Sequence, residues 1–84
     1  MKIYNYEGKA NVVGPRICEA RKQRHLSQDM LAAKMQLENI EISQKVISRI
    51  EKQERFVADY ELLAFAKVLN VDINWLLNAK KHEL

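Results

Sequence analysis

The sequence predicts an all-α domain of five short helices. Apolar residues recur at helical spacing in five successive segments, and no segment is rich in strand-forming residues or repeated elsewhere in the chain. Glycine and proline, which most often interrupt helices, occur only within the first fifteen of the 84 positions. With 48% hydrophobic residues, the chain has enough apolar material for one hydrophobic core and too little for two.

The first helix is predicted to begin at the Gly14-Pro15 pair and to run to about Arg24. Proline is tolerated early in a helix, because its missing N–H would have no partner there. Residues 1–13 have no helical repeat and are predicted to form an N-terminal arm. Their KIYNY stretch has some strand propensity, but a lone short strand would need a partner.

Serine residues predict the starts of the second and third helices. Ser27 is a good N-cap for a helix over Gln28–Leu37, and Ser43 is a good N-cap for a helix over residues 44–52. Asn39 can adopt the left-handed conformation that often follows a helix end. The third helix has no glycine stop, so its end carries no sequence signal of its own.

Aspartates predict the starts of the last two helices. Asp59 is predicted to cap a helix over Tyr60–Leu69, and Asp72 is predicted to cap a short fifth helix. The side chains predicted to point inward from these helices are Leu62, Phe65, Ala66, Leu69, Ile73, Leu76 and Leu77. We therefore expect the domain to span residues 14–78, followed by a polar C-terminal tail, 79–84.

Composition excludes several functional classes. No catalytic constellation is present, and His25 and His82 lack metal-ligand companions at useful spacing, so we expect neither an enzyme, a cofactor nor a metal. No apolar run approaches the roughly 18 residues that span a bilayer, and the N-terminus lacks a signal-peptide pattern. The single cysteine, Cys18, fits a reducing compartment. These features favour a cytoplasmic protein without a membrane or small-molecule partner.

Positive charge is concentrated in two parts of the chain. The formal net charge is only +3, which alone is a mild hint of a polyanionic partner. Residues 1–27 and 43–55 carry the excess of lysine and arginine, whereas 28–42 and 56–79 are each net acidic. A fold that joins the two basic segments would create a basic face; ordinary solvated helix surfaces are the alternative.

The third helix separates its apolar and basic residues sharply. At about 100° per residue, Val46, Ile47 and Ile50 fall in one sector that must face the core. The opposite face holds Gln44, Lys45, Ser48, Arg49 and Lys52. That face has no acidic residue, and its side chains are of the kinds that bind base edges and phosphate oxygens. A plain amphipathic helix with a basic face is the alternative on this segment alone.

The second helix supports the nucleic-acid interpretation. Both helices open with Ser-Gln, and a short connection joins them. Exposed amides at the start of the second helix can receive a phosphate, to which Gln28 could add a side-chain hydrogen bond. One helix would then hold the backbone while the next lies in the groove, as in helix-turn-helix proteins.

Three consecutive blocks, LSQDMLAAKM, ISQKVISRIEKQER and ELLAFAKVLNVDINWLL, strongly resemble the lambda-repressor-like, Cro/XRE-type helix-turn-helix family. The resemblance covers roughly Val13–Asn78. It implies a five-helix domain in which helices 2 and 3 form the helix-turn-helix. It also implies that Arg21 of the first helix pairs with Glu51 of the third. The residues it implies for base reading are Gln44, Lys45, Ser48 and Arg49.

Four further residues are predicted to contact DNA phosphates: Gln28, Ser43, Lys52 and Arg55. The glutamine that opens the second helix typically binds phosphate in this family, which implies that role for Gln28. One departure from the family is the connection 36–42, about five residues longer than expected, so that either the second helix is extended or the loop bulges. Glu38 and Glu41 within it are predicted to point away from DNA.

The sequence thus favours a sequence-specific transcriptional regulator, most simply a bacterial repressor, that binds double-stranded DNA. A single module contacts few base pairs, so we expect a homodimer, at least on DNA, and a palindromic operator. Dimerisation would use the fourth and fifth helices or the arm. The alternative is a protein-interaction module, such as an antitoxin or anti-repressor, whose main partner is another protein.

Overall fold

The computed structural model describes residues 5–78, and the fold is all-α, as predicted. Five helices follow one another in the order α1 (Gly14–Gln23), α2 (Gln28–Leu37), α3 (Gln44–Glu51), α4 (Asp59–Leu69) and α5 (Ile73–Leu77). No strand forms among the described residues; a single bridge joins Tyr6 and Lys9. The predicted tail at 79–84, together with Lys2 and Tyr4 of the arm, lies outside the described residues.

One core holds the five helices together. Its fully buried side chains come from every helix: Ile17, Ala20, Leu31, Met35, Ile47, Ile50, Phe65, Leu69 and Leu76. Of the inward residues predicted for α3, Ile47 and Ile50 are completely buried and Val46 is partly buried against the core. The apolar stripe of each helix thus fixes which of its faces turns outward.

The predicted caps form at α2, α3 and α5. Ser27 Oγ accepts a hydrogen bond from the N–H of Met30, and Ser43 Oγ accepts one from Val46. Asp72 Oδ1 accepts from Asn74 in the same way. The predicted bounds of α2 are confirmed, and α3 ends at residue 51, one residue before the predicted end.

The prediction for the start of α4 was wrong. Asp59 is the first residue of the helix rather than its cap, and Ala58 occupies the cap position. Alanine has no side-chain acceptor, and the Glu61 carboxylate instead accepts a hydrogen bond from the Ala58 N–H at 3.0 Å. An acidic residue in the first turn stabilises a helix whether or not it is the cap. Asp59 and Glu61 therefore indicate that a helix starts here, but they do not indicate which residue is the cap.

Each of the helices α1 to α4 is followed within two positions by a residue with left-handed backbone, and none of the four is glycine: His25, Asn39, Gln53 and Asn70. In each case the N–H of the following residue bonds a carbonyl five positions earlier, as Glu54 does with Arg49 at 2.8 Å. This is the Schellman ending, which closes a helix within one turn. The left-handed conformation predicted for Asn39 is present, and α2 therefore ends at Leu37 without an extra turn. The extra residues form the connection, 38–43.

The last residues of the predicted arm contact the helices. Val13 is buried, and the N–H of Ala10 bonds the Gln53 carbonyl at the end of α3. Asn11 is also buried; its amide nitrogen donates to the carbonyls of Ile50 and Arg55, and its oxygen accepts from the Gly14 N–H. Residues 10–13 therefore belong to the packed domain and join the start of α1 to the end of α3.

Candidate nucleic-acid interface

The outer face of α3 is open to solvent and carries no acid. Gln44, Lys45 and Arg49 are exposed, and Ser48 is half-buried. The core side chains on the opposite face hold the helix in this orientation, because turning it would expose Ile47. The structure thus brings the four predicted base-reading residues together on one surface of eight helical residues.

The start of α2 lies beside the start of α3. Gln44 Nε2 donates to Gln28 Oε1 at 2.6 Å, which joins the first residues of the two helices. Backbone N–H groups in a first helical turn have no acceptor within the helix, so both starts present donors to an anion. Asp29 adds an exposed negative charge in the same turn of α2 and opposes that attraction.

A continuous chain of hydrogen bonds ties this surface to α1. Arg21 Nε lies 2.7 Å from one Glu51 oxygen, and its Nη2 lies 3.1 Å from the other. Gln28 Nε2 donates to Glu51 Oε1 at 2.9 Å, and Gln28 Oε1 accepts the hydrogen bond from Gln44. A third Arg21 nitrogen donates to the Leu26 carbonyl at 2.8 Å. The guanidinium of α1 therefore positions side chains at the tip of α3 through two intermediates.

The electrostatics of the Arg21–Glu51 pair match its geometry. Burial raises the pKa of Glu51, but hydrogen bonds from Arg21 and Gln28 outweigh burial and hold the pKa below its usual value. The hydrogen bond to Glu51 raises the pKa of Arg21, against the opposing effect of burial. Both groups are charged at neutral pH, so the pair is a doubly bonded ion pair with side chains only 11% and 7% exposed.

The predicted phosphate residues divide into two groups. Lys52 is exposed just after α3, and Ser43 is exposed at its start, where its hydroxyl oxygen serves as the helix cap. Arg55 is different: its Nη1 lies 2.7 Å from Glu61 and donates to the Phe56 carbonyl, and its guanidinium stacks on the Phe56 ring. The Arg55 charge is compensated within the fold by Glu61, which makes Arg55 a weaker candidate for a phosphate contact than Lys52.

The two acids of the long connection take different positions. Glu38 Oε1 lies 3.0 Å from Lys67 Nζ, which directs its charge towards α4. Glu41 is exposed. The orientation of both relative to DNA stays a prediction.

Two arginines of α1, Arg16 and Arg24, face another part of the molecule. The Arg16 guanidinium lies 4.5 Å from the centre of the Trp75 ring, against α5. Arg24 Nη2 donates to the Asn70 carbonyl at the end of α4. Both side chains thus contribute to packing between α1 and the last two helices.

Sequence reasoning missed the residues that fix the end of α3. Besides Asn11, these are Gln53, whose Nε2 donates to the Asn11 carbonyl, and Gly14. A side chain at Gly14 would collide with the Ile50 carbonyl, so glycine allows α1 to approach α3 closely. The available local signal was an asparagine three residues before Gly14, because its side-chain oxygen can accept the free N–H at the start of a helix.

Among residues 5–78, no helix is both long enough and apolar enough to cross a membrane. The same residues contain no group of three or more side chains arranged to hold a metal ion.

The chain matches a family model over most of its length. The model described as helix-turn-helix, of the Cro/C1 type, matches residues 18–76, which is most of the chain and includes α2, α3 and the connection between them. No curated protein and no solved structure gives a significant match.

Proposed function

Because the chain belongs to the Cro/C1-type helix-turn-helix family of DNA-binding transcription regulators, we propose that it is a sequence-specific repressor that places α3 in the major groove of double-stranded DNA. The observation that supports this most is the exposed, acid-free outer face of α3. A helix fits the major groove, where each base pair presents a distinct pattern of donors and acceptors.

Lys45 and Arg49 are the proposed donors to guanine, since their cationic groups match its two acceptors on the groove edge. Gln44 and Ser48 are the proposed adaptable contacts, which either donate or accept. Gln28, Ser43 and Lys52 bind phosphates on either side of the groove. In this arrangement the Arg21–Glu51–Gln28 chain holds Gln44 in place before DNA arrives, which lowers the entropic cost of binding.

We further propose that two copies bind a palindromic operator, with half-sites about 34–36 Å apart or a multiple of that distance. One α3 contacts only a few base pairs. When two linked copies bind adjacent half-sites, the second copy binds at a high effective concentration, which raises the overall affinity. Its proposed site of action is the cytoplasm.

Selection of bound duplexes from a random pool gives the first test. A symmetric consensus is expected. Lys45→Ala and Arg49→Ala should then each lose about 1–3 kcal/mol of preference for that consensus over bulk DNA. Arg24→Ala is the matched control, because it removes the same charge at the α4–α5 side of the molecule. If the control loses as much preference as the two α3 variants, base reading by α3 is wrong.

The phosphate contacts have a separate readout. Each contact contributes a slope of about −0.9 in the logarithm of affinity against the logarithm of salt concentration. Lys52→Ala should make that slope shallower by about 1 and weaken binding to all sequences alike. Arg55→Ala should leave the slope unchanged while lowering stability, because Arg55 is paired with Glu61.

The alternative role as a protein-interaction module has one supporting observation. Tyr60 and Leu63 on α4 are large apolar side chains with 63% of their surface exposed. They indicate a protein partner in addition to DNA, and a second copy of the chain meets that need.

A further inference from the structure

The outer face of α4 has no partner within the described residues. Its inner face packs on the core through Phe65 and Leu69, while Tyr60 and Leu63 project outward one turn apart. Leu37, at the end of α2, is 83% exposed. The ion pair of Glu38 with Lys67 brings the end of α2 beside α4. Single exposed apolar residues are ordinary, but several close together mark an interaction surface.

The charges on this face are symmetric in sequence about Leu63. Asp59 lies four residues before it and Lys67 four residues after it, and both are exposed. Four residues correspond to about 6 Å along the helix and to about 40° around it, to opposite sides of Leu63. The face therefore has an apolar centre, a negative end and a positive end.

We propose that this face is the contact between two copies of the chain, with the two α4 helices antiparallel and crossing at Leu63. A two-fold axis through the crossing places Leu63 against the partner's Leu63. It also brings Asp59 to the height of the partner's Lys67, and the reverse, so that two ion pairs flank the apolar centre. A parallel arrangement would bring like charges together instead. The charge pattern of this face is therefore complementary to a second copy of the same face in the antiparallel orientation.

The existing Glu38–Lys67 pair does not oppose this contact. Lys67 has 71% of its side chain exposed, and such surface pairs contribute little to stability. The lysine can move between the two carboxylates or bridge them.

The size of the patch predicts a weak dimer. A stable complex usually buries about 800 Å² on each partner, and a few side chains on one helix cover far less. Weak association suffices if DNA holds both copies at adjacent half-sites, where effective concentrations reach the millimolar range. Only this last step rests on the proposed function; the surface itself does not.

A cysteine at the symmetry centre tests the geometry directly. Helices that pack 8–10 Å apart, each with a Cα radius of about 2.3 Å, bring facing Cα atoms to about 3.4–5.4 Å, which overlaps the range of about 4.4–6.8 Å for a disulfide. Leu63→Cys, in a Cys18→Ser background and at about 1 mM protein without DNA, should form a covalent dimer on oxidation. Leu77→Cys, an exposed apolar position on α5, is the control. We expect at least tenfold faster dimer formation for Leu63→Cys; equal rates overturn the proposal.

Charge reversal supplies an independent test that needs no cysteine. Sedimentation equilibrium of Asp59→Lys and of Lys67→Asp should each show dimerisation about tenfold weaker than the parent, because two attractive contacts become repulsive. The double variant should recover the parent's association. All chains carry Glu38→Gln, so that this acid does not perturb position 67, and thermal unfolding checks their folding.

A double variant no better than the single ones, or a parent that stays monomeric at about 1 mM, overturns the α4 contact. None of these measurements uses DNA. Failure of the α4 contact is therefore distinguishable from failure of the proposed DNA binding.

Discussion

Replacing Glu51 by glutamine isolates the charge of the buried ion pair, because the two side chains have nearly the same shape. In the structure Glu51 accepts two hydrogen bonds from Arg21, at 2.7 and 3.1 Å, and one from Gln28. Glutamine keeps one acceptor oxygen, but its NH₂ group replaces the other oxygen and faces a donor N–H group of Arg21 or Gln28. The Arg21 charge is then left with neutral partners only, the glutamine oxygen and the Leu26 carbonyl, in a site where its side chain is 11% exposed.

The expected loss is about 2 kcal/mol in the free energy of unfolding at neutral pH. Removing one member of a buried pair costs about 3–5 kcal/mol in general. The retained oxygen should reduce this cost, since a hydrogen bond to a charged group contributes about 1.5–3 kcal/mol. For a domain of this size, each kcal/mol corresponds to a change in Tm of about 4–8 °C.

The pH dependence gives the prediction a sign. The pKa of Glu51 is lowered in the folded protein, from an ordinary value of 4.5. The unfolded chain therefore binds the proton first as the pH falls. The stabilisation is complete above about pH 4.5 and is lost as the pH falls through the lowered, folded pKa.

Urea unfolding of the parent and Glu51→Gln at a series of pH values measures this difference directly. The difference in the free energy of unfolding between the parent and Glu51→Gln should be largest at pH 6–7 and should decrease below about pH 4.5. A gap that is absent at neutral pH, or that keeps its size into acid, would refute the reasoning.

Three further changes test the packing around the site by thermal unfolding. Gly14→Ala should lower the free energy of unfolding by about 2–3 kcal/mol, because the new methyl group meets the Ile50 carbonyl. Gly8→Ala is the control: nothing lies near its added methyl group, so it should lower the free energy of unfolding by only about 1 kcal/mol, because of its left-handed backbone. Equal losses would contradict the close contact at Gly14. Asn11→Ala should lose about 2–3 kcal/mol, since it leaves three buried or half-buried backbone groups without their partner; a loss below 0.5 kcal/mol would remove Asn11 from its structural role. His25→Gly should gain about 0.5–1 kcal/mol, since glycine adopts the positive φ of 58° without strain; a loss would mean that the imidazole makes a stabilising contact.

The fold was largely predictable because its signals are local. Ser27, Ser43 and Asp72 cap helices at the positions where their types predict caps, and the apolar spacing of α3 identified Ile47 and Ile50 as core residues. These features depend on residues within one helical turn of each other. A single sequence contains that information in full.

The contacts that close the end of α3 were not predictable, because the residues that make them are distant in sequence. Gln53 takes a left-handed backbone that its residue type disfavours. It does so where Ala10 and Asn11 bond it from more than forty positions away. No local pattern reports such a contact, so the segment before Gly14 looked like a detached arm.

Arg55 shows the same limit within the candidate site. Its position soon after α3 favoured phosphate binding, and the residue type is right for that role. Whether an arginine is available depends on which acids the fold brings to it. Here the acid is Glu61, which accepts a hydrogen bond from the Ala58 N–H and forms an ion pair with Arg55 through the same oxygen. By contrast, spacing alone predicted which residues of α3 lie on its outer face.

The most direct test of the central claim is a thermodynamic cycle between Arg49 and one base pair. Affinities of the parent and of Arg49→Ala are measured for the selected duplex and for the same duplex with one guanine of the half-site replaced, taking each guanine in turn. If Arg49 reads a guanine, the variant loses about 1–3 kcal/mol on the selected duplex and almost nothing once that guanine is gone. An equal loss on every duplex would mean that Arg49 contributes charge only, and α3 would not be the element that reads the sequence.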